Sequence, residues 1–233
     1  MIPYADFPIR PSQHLTASRI YVLRSMDGGV SFEVPRFVAD MPRAFPGGGV
    51  SFATDASIGK FSGRIYALWE DGDFGPELVA KSTEIKREES GERRGLAISY
   101  STDNGRTWSV PRQLAKPGLG PAFMGCLAVA PNGTLGALWI QHEKYATDPQ
   151  EYRAWFAAST DGGEAFTTPQ ALSSHISRPD RTRRDKVAYI RTRPRGGDYI
   201  GLAATANSVF HAVWSDARDG LFCTFHAPVR VSL

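Results

Sequence analysis

The residues with the clearest chemical potential are basic side chains concentrated in one segment near the end of the chain. Residues 177–198, SRPDRTRRDKVAYIRTRPRGGD, carry eight arginine or lysine residues against three aspartates. A planar guanidinium can hold a carboxylate through two parallel hydrogen bonds, so this segment suits an anionic ligand. A hydrated basic loop has the same composition, and both interpretations stay open. Arg178 and Arg195 are the ligand-binding candidates, because they lie near the two ends of the segment.

Four other polar residues follow short apolar stretches, where a strand is expected to end. Glu70 and Glu143 could assist a catalytic nucleophile, or they could be solvated loop carboxylates. Asp216 and Arg218, in the stretch WSDARDG, could contact a substrate or brace a turn through a side-chain bond. No histidine or cysteine has the spacing of a metal ligand, so we expect His142 and His175 at the surface and predict neither a metal nor a cofactor.

Composition limits the classes of protein to consider. The chain has 233 residues, of which 42% are hydrophobic and 22% charged, as in ordinary globular proteins. No apolar run approaches a membrane span, and a net charge of +3 is too small to indicate a nucleic-acid partner. We expect no signal peptide at the start, and the compartment stays open, a secreted or periplasmic location included. Cys126 and Cys223 lie in separate apolar runs and are expected to be buried free thiols.

One eight-residue pattern, S-x-D-x-G-x-x-aromatic, occurs three times between strand-like stretches. The aspartate can accept hydrogen bonds from backbone amides just ahead of it, and the glycine allows a positive φ, so each copy predicts a tight turn. The closing aromatic is expected to fold under the turn and pack on the sheet. The residues concerned are Ser25, Asp27, Gly29 and Phe32; Ser101, Asp103, Gly105 and Trp108; Ser159, Asp161, Gly163 and Phe166.

A second repeat alternates with the first and predicts the architecture. Tryptophan-containing strands at 65–71, 135–141 and 210–216 are each preceded by another apolar stretch, and Trp69, Trp139 and Trp214 are expected in the core. Each repeat therefore has four strands, A to D, with the eight-residue turn between C and D. Repeated four-stranded antiparallel units predict an all-β fold, a β-propeller of about three and a half blades in one domain, residues 1–233. Either further blades lie upstream, or the open edges pair with something such as another copy.

The direction of the strands predicts where a ligand binds. A–B and C–D turns lie at one end of a blade, and B–C and D–A loops lie at the other. The long polar connections are all of the second kind: 39–48, 70–95, 115–121, 141–152, 173–198 and 215–220. We therefore predict a binding rim opposite the eight-residue turns.

The three turns closely resemble the Asp-box, or bacterial neuraminidase repeat, and the final GDYIGLAAT…HAVWSDARDG is similar to the last blade of bacterial sialidase-like propellers. The resemblance implies a propeller that is six-bladed when complete. It also implies a retaining exo-sialidase reaction, with a tyrosine nucleophile helped by a glutamate, an aspartic acid as acid/base and three arginines on the substrate carboxylate.

On this resemblance Tyr199 is the nucleophile candidate, with Asp198 beside it, Glu70 or Glu143 as its helper, and Arg178 and Arg195 on an anionic sugar. The alternative is that the tyrosine hydroxyl caps a loop. The family's amino-terminal F-R-I-P motif has no match here, and no acid/base aspartate is found. A non-catalytic propeller that binds a glycan or a protein partner through the same rim is therefore the second hypothesis.

Overall fold

The computed structural model describes residues 2–6, 18–41, 49–72, 94–115, 118–143, 151–178 and 199–232. Within these ranges the chain forms fourteen strands and no helix, hence none able to cross a membrane. The strands are β1 Ile2–Asp6, β2 Ser18–Leu23, β3 Arg36–Met41, β4 Val50–Thr54, β5 Ile65–Gly72, β6 Arg94–Ser101, β7 Arg112–Gln113, β8 Ala122–Val129, β9 Leu135–His142, β10 Tyr152–Ser159, β11 Gln170–Ala171, β12 Gly201–Ala204, β13 Phe210–Asp216 and β14 Cys223–Val229.

The strands form four antiparallel sheets in sequence order, which we call blades 1 to 4. Blades 2 (β4–β7) and 3 (β8–β11) have four strands, whereas blades 1 (β1–β3) and 4 (β12–β14) have three each. The prediction of an all-β propeller with about three and a half blades is confirmed. One strand was not predicted: β1, which pairs antiparallel with β2.

Alternation of side chains along the B strands packs one blade on the next. Trp69 faces blade 1, Trp139 faces blade 2 and Trp214 faces blade 3, each within an apolar cluster between two blades. All three are buried, which confirms their predicted core position. The cysteines are both free, but only Cys126 is partly buried. Cys223 is exposed, contrary to the prediction, because β14 is the outermost described strand of blade 4.

The three eight-residue segments 25–32, 101–108 and 159–166, which we call the serine–aspartate turns, share one set of hydrogen bonds. In each, the serine hydroxyl donates to the aspartate and accepts the glycine amide, at 2.7–2.8 Å. The aspartate also accepts a backbone amide four residues ahead, at 2.9–3.0 Å. Gly29, Gly105 and Gly163 all have positive φ, so the predicted turn chemistry is confirmed.

The closing aromatics differ in their burial. Trp108 packs in the cluster between blades 1 and 2, and Phe166 packs in the cluster between blades 2 and 3. Each therefore packs at the interface with the preceding blade. Phe32 is 43% exposed, so the prediction that it packs under its turn is wrong. The reason is that no described blade precedes blade 1.

Candidate functional site

The serine–aspartate turns share one end of the blades with the A–B turns, as predicted. Arg64, in the A–B turn of blade 2, donates a 2.5 Å hydrogen bond to the carbonyl of Gly162 in the third turn. The opposite end, which we call the rim, contains the ends of β5, β9 and β13 and the starts of β8, β10 and β12. The candidate residues that the structure describes lie at or next to this end.

Glu70 supports the backbone of the neighbouring blade. Its carboxylate accepts a 2.8 Å hydrogen bond from the amide of Met124. Met124 has a φ of 57° and lies where the pairing of β8 with β9 is interrupted between Phe123 and Cys126. Glu70 thus has a structural partner in this arrangement, and it is partly buried.

Glu143 and Arg178 both belong to ion pairs that flank the B–C connection of blade 3. Glu143 pairs with Arg153 at 3.0 Å, with both side chains largely buried. Arg178 pairs with Glu151 at 2.8 Å, and its side chain stays more than half exposed. The amide of Glu143 also donates to the carbonyl of Glu151. To bind a ligand, the Arg178 guanidinium must therefore either keep Glu151 as a second partner or release it.

Asp216 and Arg218 meet each other in the B–C turn of blade 4. One Asp216 oxygen accepts the amide of Arg218 at 2.8 Å, and the other accepts its guanidinium at 2.6 Å. The indole of Trp214 donates to the same carboxylate at 3.3 Å, and Asp216 is buried. The Arg218 guanidinium also lies over the ring of Phe225. These contacts favour the interpretation that the pair braces the turn.

Tyr199 differs from the other candidates because it is 88% exposed. It lies two residues before β12, the innermost described strand of blade 4. No described residue, Glu70 and Glu143 included, hydrogen-bonds its hydroxyl. The loop-capping alternative concerns the segment before Tyr199, which lies outside the described residues, and stays a prediction. Arg195 and Asp198 lie outside the described residues, as does the basic segment beyond Arg178.

Two rim features were not predicted from the sequence. One is a hydrogen bond from the indole of Trp139 to the side chain of Gln141, at 3.1 Å, which matches the bond from Trp214 to Asp216. The sequence feature that could have predicted both bonds is a polar residue two positions after the tryptophan. His142 is buried, contrary to the surface prediction, because its ring packs on Phe123 with centroids 5.0 Å apart. His175 is exposed, as expected. The described residues contain no metal-binding group of three or more histidine, cysteine or acidic side chains.

Solved structures of other proteins share the fold of this chain. No protein-family model matches the chain, and no curated protein matches it. Among solved structures, Hadza microbial sialidase Hz136 has a TM-score of 0.53 at 20% identity, over 93% of this chain and 39% of that one. A protein of unknown function from Dyadobacter fermentans has a TM-score of 0.51 at 15% identity, over 90% of this chain and 55% of that one. The chain has a sialidase-like fold.

This chain spans about two fifths of the length of the first of these structures and just over half of the second. At such identities the likeness concerns the fold alone. What the rim can bind or catalyse therefore depends on the residues of this chain that lie there. Among the described candidates, Tyr199 is exposed, and its hydroxyl bonds no other described residue. The other five all have protein partners: Glu70, Glu143, Arg178, Asp216 and Arg218.

Proposed function

We propose that the chain is part of a carbohydrate-active propeller, a sialidase-like glycosidase whose rim binds an anionic sugar. The observation that carries the proposal is Tyr199, which is exposed and hydrogen-bonds no described residue. It lies just before the innermost described strand of blade 4 and directly after the basic segment 177–198. Two facts add support: the fold is shared with a microbial sialidase, and the serine–aspartate turns resemble Asp boxes. We further propose that residues 1–233 belong to one propeller domain.

The reaction we propose is retaining exo-hydrolysis of a sialoside. The anomeric carbon of that sugar already carries a carboxylate, which would repel a carboxylate nucleophile, so a neutral tyrosine is the better attacking group. The Tyr199 oxygen would form a bond to the anomeric carbon as the bond from that carbon to the aglycone oxygen breaks, with the tyrosine proton passing to Glu70 or Glu143 and the departing aglycone oxygen taking a proton from water. A water molecule would then attack the anomeric carbon, which releases the sugar, and the glutamate would return the proton to Tyr199. Either glutamate would first have to release its present partner. Arg178 and Arg195 would hold the substrate carboxylate, with Asp198 near the nucleophile.

Binding without hydrolysis is the second candidate, and a specific observation favours it. Three described carboxylates on the rim already have protein partners. Glu70 accepts a backbone amide, Glu143 pairs with an arginine, and Asp216 braces a turn. None of them bonds Tyr199. A rim built in this way can present basic and aromatic groups to a glycan or an acidic protein partner without a proton acceptor for the tyrosine.

Two assays on the full chain separate these candidates. A fluorogenic sialoside measures hydrolysis, and calorimetry with a non-hydrolysable sialoside, with a neutral galactoside for comparison, measures binding. Loss of hydrolysis in Tyr199→Phe with binding retained supports the enzyme. Binding that weakens in Arg178→Ala, without hydrolysis by the chain, supports the second candidate.

The matched control is Arg112→Ala, which removes a half-exposed, ion-paired arginine near the serine–aspartate turns. It should leave both readouts unchanged. If the folded chain neither hydrolyses nor binds any sialoside, and an array of other glycans also gives no signal, the proposal fails in both forms.

A further inference from the structure

Three charged residues lie in a row on the rim at blade 3. Glu143 follows β9 and Glu151 precedes β10, and the amide of Glu143 donates to the carbonyl of Glu151 at 2.9 Å, which extends the β9–β10 ladder by one pair. On the other side, Tyr152 and Ser177 form an antiparallel bridge, so Arg178 comes next to Glu151. The order across the rim is therefore Glu143, Glu151, Arg178.

The middle of this row holds a carboxylate beside another carboxylate. Residues directly opposite each other in an antiparallel ladder have Cβ atoms about 5 Å apart, and like charges in such a pair are destabilising. Each carboxylate is balanced by a different arginine: Glu143 by Arg153 at 3.0 Å, and Glu151 by Arg178 at 2.8 Å. A further carboxylate bound to Arg178 would therefore be repelled by Glu151 unless Glu151 moves away.

The backbone at Arg178 is held by contacts with two blades. The Ser177 hydroxyl accepts the amide of Ala217 at 2.8 Å, and the amide of Arg178 donates to the carbonyl of Ala217 at 3.3 Å. Ala217 belongs to the B–C turn of blade 4, whereas Ser177 pairs with Tyr152 of blade 3. We therefore expect Arg178 to stay on the rim when Glu151 loses its charge.

The two ion pairs differ in their exposure to solvent. The side chain of Arg178 is 59% exposed and that of its partner Glu151 is 25% exposed, whereas Arg153 and Glu143 are 26% and 17% exposed. A ligand can approach the Arg178 guanidinium from solvent, and a released Glu151 carboxylate can be hydrated. The pair of Glu151 with Arg178 is therefore the one that a ligand can open.

We propose that Glu151 is an internal competitor for the ligand: it occupies Arg178 and is displaced when a carboxylate-bearing ligand binds. The proposal rests on the proposed function, because it takes Arg178 as the group that holds an anionic sugar. Glu151 orders the Arg178 side chain before binding, which favours the ligand, but its negative charge opposes a second carboxylate on the same guanidinium. At a separation of a few ångströms this repulsion exceeds the cost of ordering one side chain, so the net effect is inhibition.

Calorimetry of the full chain with a non-hydrolysable sialoside tests the proposal. Glu151→Gln removes the charge and keeps the size of the side chain, and it should lower the dissociation constant about tenfold. Glu151→Ala should act in the same direction. Glu151→Gln combined with Arg178→Ala should bind no more tightly than Arg178→Ala alone.

The matched control is Glu164→Gln. Glu164 also pairs with an arginine, Arg112, at 2.8 Å, but it lies in the third serine–aspartate turn, at the opposite end of the blades. This variant makes the same change in net charge and should leave the dissociation constant unchanged. Near-UV circular dichroism checks that each variant is folded.

A second measurement does not depend on sialoside binding. In a ¹H–¹⁵N spectrum, the Nε–H signal of Arg178 is assigned by its loss in Arg178→Ala. Glu151→Gln should shift this signal, and sodium acetate should shift it at a lower concentration in Glu151→Gln than in the unmodified chain. If acetate behaves in this way but no sialoside binds, the proposed function fails and the internal competition stands.

Three results would overturn the proposal. Weaker sialoside binding by Glu151→Gln would mean that Glu151 positions Arg178 for the ligand, and unchanged sialoside binding would mean that the two do not compete. The same dependence on acetate in both proteins would exclude competition at Arg178 for any carboxylate. Tighter binding by Glu164→Gln would show that net charge, and not Glu151, controls the affinity.

Discussion

Glu70 and Met124 join blades 2 and 3 at the rim through one hydrogen bond, 2.8 Å from the glutamate Oε1 to the amide nitrogen. Met124 has positive φ, a conformation that residues other than glycine seldom adopt, within an interruption of the β8–β9 ladder. The side chain of Glu70 accepts this amide at a point where the ladder pairing is broken. Its contact is therefore structural, whatever further role it has.

We expect Glu70→Ala to lower the free energy of unfolding by about 1–3 kcal/mol, because the Met124 amide loses its acceptor. Glu70→Gln keeps an oxygen at the same position and should lose about 1 kcal/mol or less. Urea unfolding of the three proteins measures the difference. If Glu70 also assists Tyr199, the glutamine variant should be stable but inactive. Equal stability in all three proteins would show that the hydrogen bond contributes nothing.

Two buried tyrosines should respond in opposite ways to loss of the hydroxyl. The Tyr66 hydroxyl is buried and has no hydrogen-bond partner among the described residues, whereas that of Tyr152 donates to the carbonyl of Ser215 at 3.0 Å. We expect Tyr66→Phe to raise the free energy of unfolding by about 1 kcal/mol and Tyr152→Phe to lower it by about 0.5–1.5 kcal/mol. Urea unfolding measures both, and destabilisation by Tyr66→Phe would contradict the prediction.

Tyr66 also predicts a loss of stability in alkali. Burial raises the pKa of Tyr66 to about 12, from 10.0 for a free tyrosine. A pKa raised by folding means that the stabilisation is complete below pH 10 and is lost as the pH rises toward 12. Unfolding measured across this window should show a shallower decline in Tyr66→Phe.

The sequence was sufficient for features whose partners lie within a few residues. The serine, aspartate and glycine of each turn bond one another inside eight residues, so the pattern alone specifies the geometry. The burial of Trp69, Trp139 and Trp214 followed from their position inside apolar strands.

Features that depend on a distant segment were not predictable in the same way. Met124 is 54 residues from Glu70, and no sequence pattern predicts that the pairing of β8 with β9 is interrupted there. Phe32 has the same local sequence role as Trp108, but its burial depends on a preceding blade. The bond between Asp216 and Arg218 was one of two open interpretations, because spacing alone cannot decide between a turn and a ligand.

The low pKa of Asp103 predicts how the stability of the fold changes in acid. Hydrogen bonds from the backbone and the hydroxyl of Thr107 hold the pKa of Asp103 well below its usual value of 3.8. A pKa lowered by folding contributes stability above the unfolded value, and that contribution is lost as the pH falls below it. The difference in urea midpoint between pH 7 and pH 3 should therefore be smaller in Asp103→Asn than in the unmodified chain. Asp40→Asn, in an exposed ion pair, is the control and should change this difference little.

The close contact between Gly136 of blade 3 and Phe210 of blade 4 predicts that an added side-chain carbon at Gly136 will lower stability. A Cβ added at Gly136 would lie 2.6 Å from Cε1 of Phe210, a buried ring that also packs on Phe156. Gly136→Ala should therefore destabilise the fold by about 1–3 kcal/mol, because the ring has to move within a filled interface. Gly201→Ala is the matched control, since a Cβ there meets nothing within 4 Å. We expect it to change stability by less than about 0.5 kcal/mol. Equal urea midpoints for the two variants would mean that Phe210 can rotate away at no cost.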